Sequence, residues 1–224
     1  MDFRTSVIAS RATLEHGQWR AGHIKEGIAT LKQGLAELEK IQTENSKSKG
    51  LKVTLQLWLA GALEREGDQT AALHYYTLGA TAYEAICKAN PKDLEDCLGL
   101  AGVQDRIGRI YAQQSAFDLA LERYKEALAI VEPLSRGERF NLEALYTVVN
   151  AYYDLGESSR MQAGKQGIQS ARQRMLSDAC DSYQKSRAAF LRITEWNPIT
   201  PNEFDARTMK EINRRLSSCQ VLAP

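Results

Sequence analysis

The chain reads as an all-α protein, and three observations carry that reading. Apolar residues recur at helical spacing along almost the whole length, while alternating apolar and polar runs bounded by turn residues are missing. Five prolines occur in 224 residues, none before Pro91, and four of them stand between apolar runs, where a residue without an N–H donor does no damage to a helix. Turn signals then divide the periodic stretches: Gly17, the SKSKG stretch ending at Gly50, Gly67-Asp68, Asn90-Pro91, Ser115, Pro133 to Gly137, Gly156, and Asn197 to Pro201.

These signals define about nine helices in order. Roughly 3–16 is closed by Gly17, and 19–45 runs to SKSKG. Residues 50–66 end at Gly67, which suits the left-handed position after a helix. Residues 69–89 stop before Asn90-Pro91, and 93–114 open on Asp93, Glu95 and Asp96, where acids suit the helix dipole. After Ser115 comes 117–133, then 138–156, entered through the capping-box pattern Ser135-x-x-Glu138 and closed by Gly156. Residues 167–196 form a long solvated helix, and RMQAGKQGIQSARQRML (160–176) is expected as a loop leading into it. Thr200-Pro201-x-Glu203 starts 202–219, whose Phe204, Met209, Ile212 and Leu216 make an amphipathic cap for the open edge.

Composition bounds the function. An apolar share of 43% with 25% charge is that of an ordinary soluble globular protein, and no window approaches the roughly 18–20 apolar residues of a membrane span. MDFRTSV lacks a signal-peptide layout, so a cytoplasmic chain is expected, one that a longer parent protein could tether to a membrane. A net charge of +1 supplies no field to gather nucleic acid or anionic lipid. His16, His23 and His74 share no metal-ligand spacing with Cys87, Cys97, Cys180 and Cys219, so neither metal nor cofactor is expected. The cysteines are read as free, largely buried thiols, with a Cys87–Cys97 bridge across the NPKD turn left open. No segment offers a recognisable catalytic set; Glu64 and Glu66, or Asp93, Glu95 and Asp96, are acids at helix ends.

The helices repeat. LWLAGALEREGDQTAALHYYTLGA (57–80) overlays DRIGRIYAQQSAFDLALERYKEALA (105–129) at an offset of 48, pairing Ala60 with Gly108, Ala72 with Ala120, Tyr76 with Tyr124 and Gly79 with Ala127. In ALYTVVNAYYDLGE (144–157), Asn150, Tyr152 and Gly156 fall 41 residues after Arg109, Tyr111 and Ser115. Ala179 and Tyr183 then resume the Ala-x-x-x-Tyr spacing about 18 residues late, which assigns an insertion to 157–178.

In these residues the chain resembles the tetratricopeptide repeat (TPR) family. Ala60, Gly67, Ala72 and Tyr76, then Gly108, Tyr111, Ala120, Tyr124 and Ala127, then Gly156, Ala179 and Tyr183 take the packing positions, where Ala or Gly lets helix axes approach to about 8 Å. The repeats run longer than the family's own. The resemblance implies a right-handed α-solenoid of three to four antiparallel helix pairs: a degenerate pair in 1–49, repeats in 50–91, 92–134 and 135–196, and a capping helix and tail in 197–224, all one continuous domain. Residues 50–220 are also similar to the C-terminal repeat regions of bacterial receptor-type serine/threonine kinases, although no kinase motif is present. That likeness implies a sensor or docking part of a signalling system without the catalyst.

Family registration implies a concave binding face formed by Leu57, Gly61, Glu64 and Arg65, by Asp105, Arg109 and Ala112, and by Tyr146, Asn150 and Tyr153. Asp105 and Arg109, four apart, also fit an exposed ion pair with no further role. Members that clamp acidic chaperone tails carry basic residues and asparagines in the groove; here Leu57, Gly61, Asp105 and Tyr146 stand instead, and only Arg109 and Asn150 fit. The expected function is non-catalytic protein–protein interaction with a peptide or partner helix. Two alternatives stay open: a homodimer through an apolar edge near Trp19, and a small-molecule pocket inside the superhelix lined by Trp58 and tyrosines.

Overall fold

The structure, a computed structural model, describes residues 23–40, 46–90, 94–136, 141–196 and 209–220. The expected helix at 3–16, His16, Trp19, the Thr200-Pro201-Glu203 start and Pro91 lie outside the described residues. Eight helices are described, and no strand occurs among those residues. The chain divides into two compact units, Met1–Ala85 and Ile86–Pro224.

In the first unit, α1 (Ile24–Glu39) buries Gly27, Leu31, Leu35 and Leu38, a spacing of three or four that draws one apolar stripe down the helix. Helix α2 (Ser46–Glu66) starts before Gly50, so SKSKG forms its first turn instead of a separator. Lysine and serine without β-branching let the helix begin there, and an added Cβ at Gly50 would meet nothing within 4 Å. Gly67 closes α2 at φ +94°: its N–H bonds the Glu64 carbonyl at 3.2 Å, and the Asp68 N–H bonds that of Leu63 at 2.9 Å. Asp68 then caps α3 (Gln69–Ala89) by accepting the Ala71 N–H at 3.0 Å. Helix α3 buries Ala72, Tyr76, Gly79 and Ala80.

The second unit begins with the end of α3 and continues through α4 (Leu94–Gln113), α5 (Phe117–Ser135), α6 (Leu142–Lys165), α7 (Gln169–Trp196) and α8 (Met209–Gln220). The turn that closed α2 recurs 48 residues on. Ser115 takes φ +62°, its N–H bonds the Ala112 carbonyl at 3.0 Å, and the Ala116 N–H bonds that of Tyr111 at 2.9 Å. Pro133 lies inside the last turn of α5, which ends two residues later; there a missing donor breaks little of the ladder. Ser135 does not cap the next helix, because its hydroxyl donates to the Glu132 carbonyl at 2.9 Å. Asn141 is the cap of α6 and accepts the Ala144 N–H at 2.9 Å.

Three corrections concern the third pair and the cysteines. Gly156 does not end a helix; α6 continues to Lys165. The expected loop at 160–176 is helix on both sides of a short connection, Gln166–Ile168. The inserted residues lengthen a helical hairpin: α6 runs nine residues past Gly156 where α4 runs five past Gly108, and α7 starts fourteen before Tyr183 where α5 starts seven before Tyr124. The cysteines are not free. Cys87–Cys97 and Cys180–Cys219 are both bridged, at Cα–Cα 5.2 and 5.8 Å, because the α3–α4 turn and the docking of α8 on α7 bring each pair within disulfide reach.

Candidate functional site

Small residues and tyrosines fix the spacing of each helix pair, so they set which side chains of the first helices stay accessible. Gly108 of α4 lies under the Tyr124 ring, 2.6 Å from where its own Cβ would be, and Gly156 of α6 lies the same way under Tyr183, at 2.7 Å. Both tyrosines are about 1% exposed, and Ala120, Ala127 and Ala179 are buried in the same unit, as Ala72 is with Tyr76 in the first. Tyr111 is half-buried. Gly156 therefore corresponds to Gly108, at the same offset of 48 that separates Ala60 from Gly108. The 41-residue registration of the third first helix is corrected to 48.

The hydroxyls of Tyr76, Tyr152, Tyr124 and Tyr183 each find a partner, as a buried phenol must. Tyr76 donates to Glu64 at 2.8 Å, and Tyr152 donates to Glu132. Burial and then the Glu132 carboxylate push the Tyr152 phenol up to about 12. Tyr124 bonds Ser158; its burial, with Asp154 and Asp105 nearby, holds the proton on well above the usual tyrosine range. Tyr183 donates to Glu157 at 2.5 Å, and burial with that carboxylate likewise raises its pKa.

Of the expected groove residues in the first unit, two are engaged with α3. Leu57 lies against Gly79 and leaves no room for a Cβ there, while Glu64 holds Tyr76. Gly61 is half-buried and Arg65 exposed. In the second unit the structure buries Asp105, Tyr146 and Tyr153 and leaves Arg109, Ala112 and Asn150 half-buried. Asp105 and Arg109 do pair, at 3.5 Å, but the carboxylate side chain is only 8% exposed, so the pair is not the solvated one expected. The Tyr153 ring packs on Tyr183 with centroids 5.7 Å apart, and Arg215 of α8 bonds its hydroxyl.

Sequence reasoning missed Glu157. Its carboxylate takes Arg215 through two atoms, at 2.6 and 2.7 Å, Arg160 at 2.9 Å, and the Tyr183 hydroxyl. Burial alone would raise its pKa, yet the hydrogen bonds from Arg160 and Tyr183 and the charges of Arg160 and Arg215 outweigh it, so the group sits below the usual glutamate range. The offset of 48 was the available signal: it places Glu157 in line with Arg109 and Gly61. The same offset aligns Gly102 with Asn150 on the α4 and α6 faces, and nothing lies within 4 Å of a Cβ built on Gly102. Among the described residues no group of three or more His, Cys, Asp or Glu is placed to hold a metal ion. No described helix is long and apolar enough to cross a membrane.

No family model matches the chain, and no curated protein matches it in sequence. Solved structures do match in shape. BtubC (BKLC) from P. vanneervenii is similar over 98% of this chain and 74% of its own, with a TM-score of 0.66 at 15% identity. A putative kinesin light chain from Podosopora anserina, with nearly identical TPR-like repeats, is similar over 99% of this chain and 98% of its own, with a TM-score of 0.52 at 16% identity. The fold is an all-α, TPR-like solenoid. At such identities the likeness is one of backbone architecture, and it agrees with the role of Gly108 and Gly156 as helix-crossing positions in a TPR-like fold.

Proposed function

We propose that the chain is a non-catalytic module that binds a peptide or partner helix on the concave face lined by the first helices of its repeats. In the second unit this face is the line of Gly102 and Arg109 on α4 and Asn150 on α6, with Ala112 at its margin. The observation that carries the reading is the uncovered Gly102: on a helix otherwise buried on several sides it is half-buried, and a Cβ built there would meet nothing within 4 Å, so the backbone is open to an incoming chain. Arg109, seven residues further along α4, and Asn150, at the aligned position of α6, are both half-buried and carry groups able to grip a peptide backbone or carboxylate. In the first unit, taken by itself, Gly61 and Arg65 of α2 are the groove positions that stay half-buried and exposed. A docking or sensor role in a bacterial signalling assembly rests on the likeness of residues 50–220 to kinase-associated repeat regions.

The two disulfides bear on where the module works. Paired cysteines are the habit of oxidising compartments, which weighs against the cytoplasmic placement expected from the MDFRTSV segment.

The test uses Gly102, since Arg109 also neutralises the buried Asp105 and its loss would confound folding with binding. Gly102→Gln places a side chain where an added Cβ meets nothing within 4 Å. Proteins captured by the purified wild-type chain are identified by mass spectrometry and compared with those held by the variant. The reading expects at least one partner to be lost or weakened roughly tenfold at an unchanged melting temperature. Identical capture by both forms sinks it.

A further inference from the structure

We propose that Cys180–Cys219 is a redox latch: oxidised, it holds α8 on the end of the second unit; reduced, it lets α8 leave. Helix α8 has twelve residues, a length at which a helix does not persist in water without packing. Its packing is narrow. Ile212 is the one fully buried side chain among its described residues, with Met209, Leu216 and Cys219 partly buried against a core that includes Tyr183, Phe190 and Ile193. Lys210, Asn213, Arg214, Ser217 and Ser218 face solvent. Among the further ties that hold the helix are the Arg215 guanidinium on Glu157 of α6 and the disulfide to α7.

The two ties differ in kind. The ion pair is partly exposed, at 25% and 18%, and is weakened by solvent; the disulfide is covalent and joins residues 39 apart in sequence. Cutting it turns a fixed neighbour into a tethered one, with a far lower effective concentration at the docking face. Cys180 and Cys219 are both half-buried, so a small thiol reaches the bond from either sulfur, whereas in the other bridge only Cys87 is half-buried and Cys97 is 4% exposed. A dithiol supplies the chemistry. One of its thiolates attacks a disulfide sulfur and forms a mixed disulfide, and the second displaces the cysteine thiolate. The dithiol leaves as its own disulfide, and its two protons end on Cys180 and Cys219.

Hydrogen exchange across 209–220 tests the latch in the full chain. In a Cys87→Ala/Cys97→Ala background, which keeps only this bond, dithiothreitol should lower protection of α8 roughly tenfold or more while α4, α5 and α6 keep theirs. Reoxidation should restore it. Cys180→Ser/Cys219→Ser should show the released state without reductant. Unchanged α8 protection on reduction overturns the proposal, as does failure to recover it. Loss of protection throughout α4 to α6 overturns it as well, since the bond would then be a staple for the whole unit.

Discussion

At the scale of single residues, the chain shows the same steric problem solved twice with different amino acids. Gly67 and Ser115 close α2 and α4 in the same left-handed turn, but only glycine enters that region without strain. Ser115→Gly should therefore stabilise the protein by roughly 0.5–1 kcal/mol, and Gly67→Ser should destabilise it by a similar amount; thermal denaturation of the pair checks both signs. The crossing glycines predict the reverse pattern. A methyl group at Gly108 or Gly156 would stand 2.6 or 2.7 Å from a tyrosine carbon, so Gly→Ala there should cost about 1–3 kcal/mol despite alanine's better helix propensity. Chemical denaturation of Gly108→Ala gives the value, and no loss would refute the crossing assignment. These positions were legible in the sequence because small residue and aromatic recur at one interval. Glu157 was not, since its partners stand 3, 26 and 58 residues away and no local pattern joins them.

At the scale of elements, helix existence was legible and helix ends were less so. Pro133 and Gly156 were read as boundaries, yet proline fits a final helical turn, and a glycine beneath a tyrosine is a packing residue. The third repeat was misregistered by seven residues, the difference between offsets of 41 and 48. Seven residues are nearly two whole turns of an α-helix, so the shift moved the assignments along α6 and left them on almost the same face. The error was therefore invisible to any test of amphipathicity. Acid should act on one element in particular. Because Glu157 is depressed in the folded state, its contribution is fully present above the ordinary glutamate value near 4.3 and is lost as the pH falls through the lower folded value. The Arg215 contact, and with it the seating of α8, should weaken there. Exchange of α8 amides followed downward through that window should rise ahead of α4, and Glu157→Gln should remove the pH dependence while weakening the contact at neutral pH.

At the scale of the whole molecule, the covalent restraints are unevenly distributed. Both disulfides lie in residues 86–224, and the first unit contains no cysteine. Full reduction should therefore act only within residues 86–224, freeing α8 through Cys180–Cys219 and costing the α3–α4 junction about 2–4 kcal/mol through Cys87–Cys97, while leaving the exchange of residues 24–80 near its oxidised level. Equal losses in both parts would contradict this. Cys87–Cys97, ten residues apart across one turn, is open to sequence reasoning, but Cys180–Cys219 is not, because a separation of 39 residues becomes a contact only once α8 is seated on α7. The lengthened hairpin has a practical consequence. Its connection, Gln166–Ile168, ends in an isoleucine 65% exposed, and a Cβ on Gly164 or Gly167 would touch nothing within 4 Å. It is thus a natural attachment point, where a fluorophore or an epitope can be carried clear of the helix crossings and used to follow the protein in assembly.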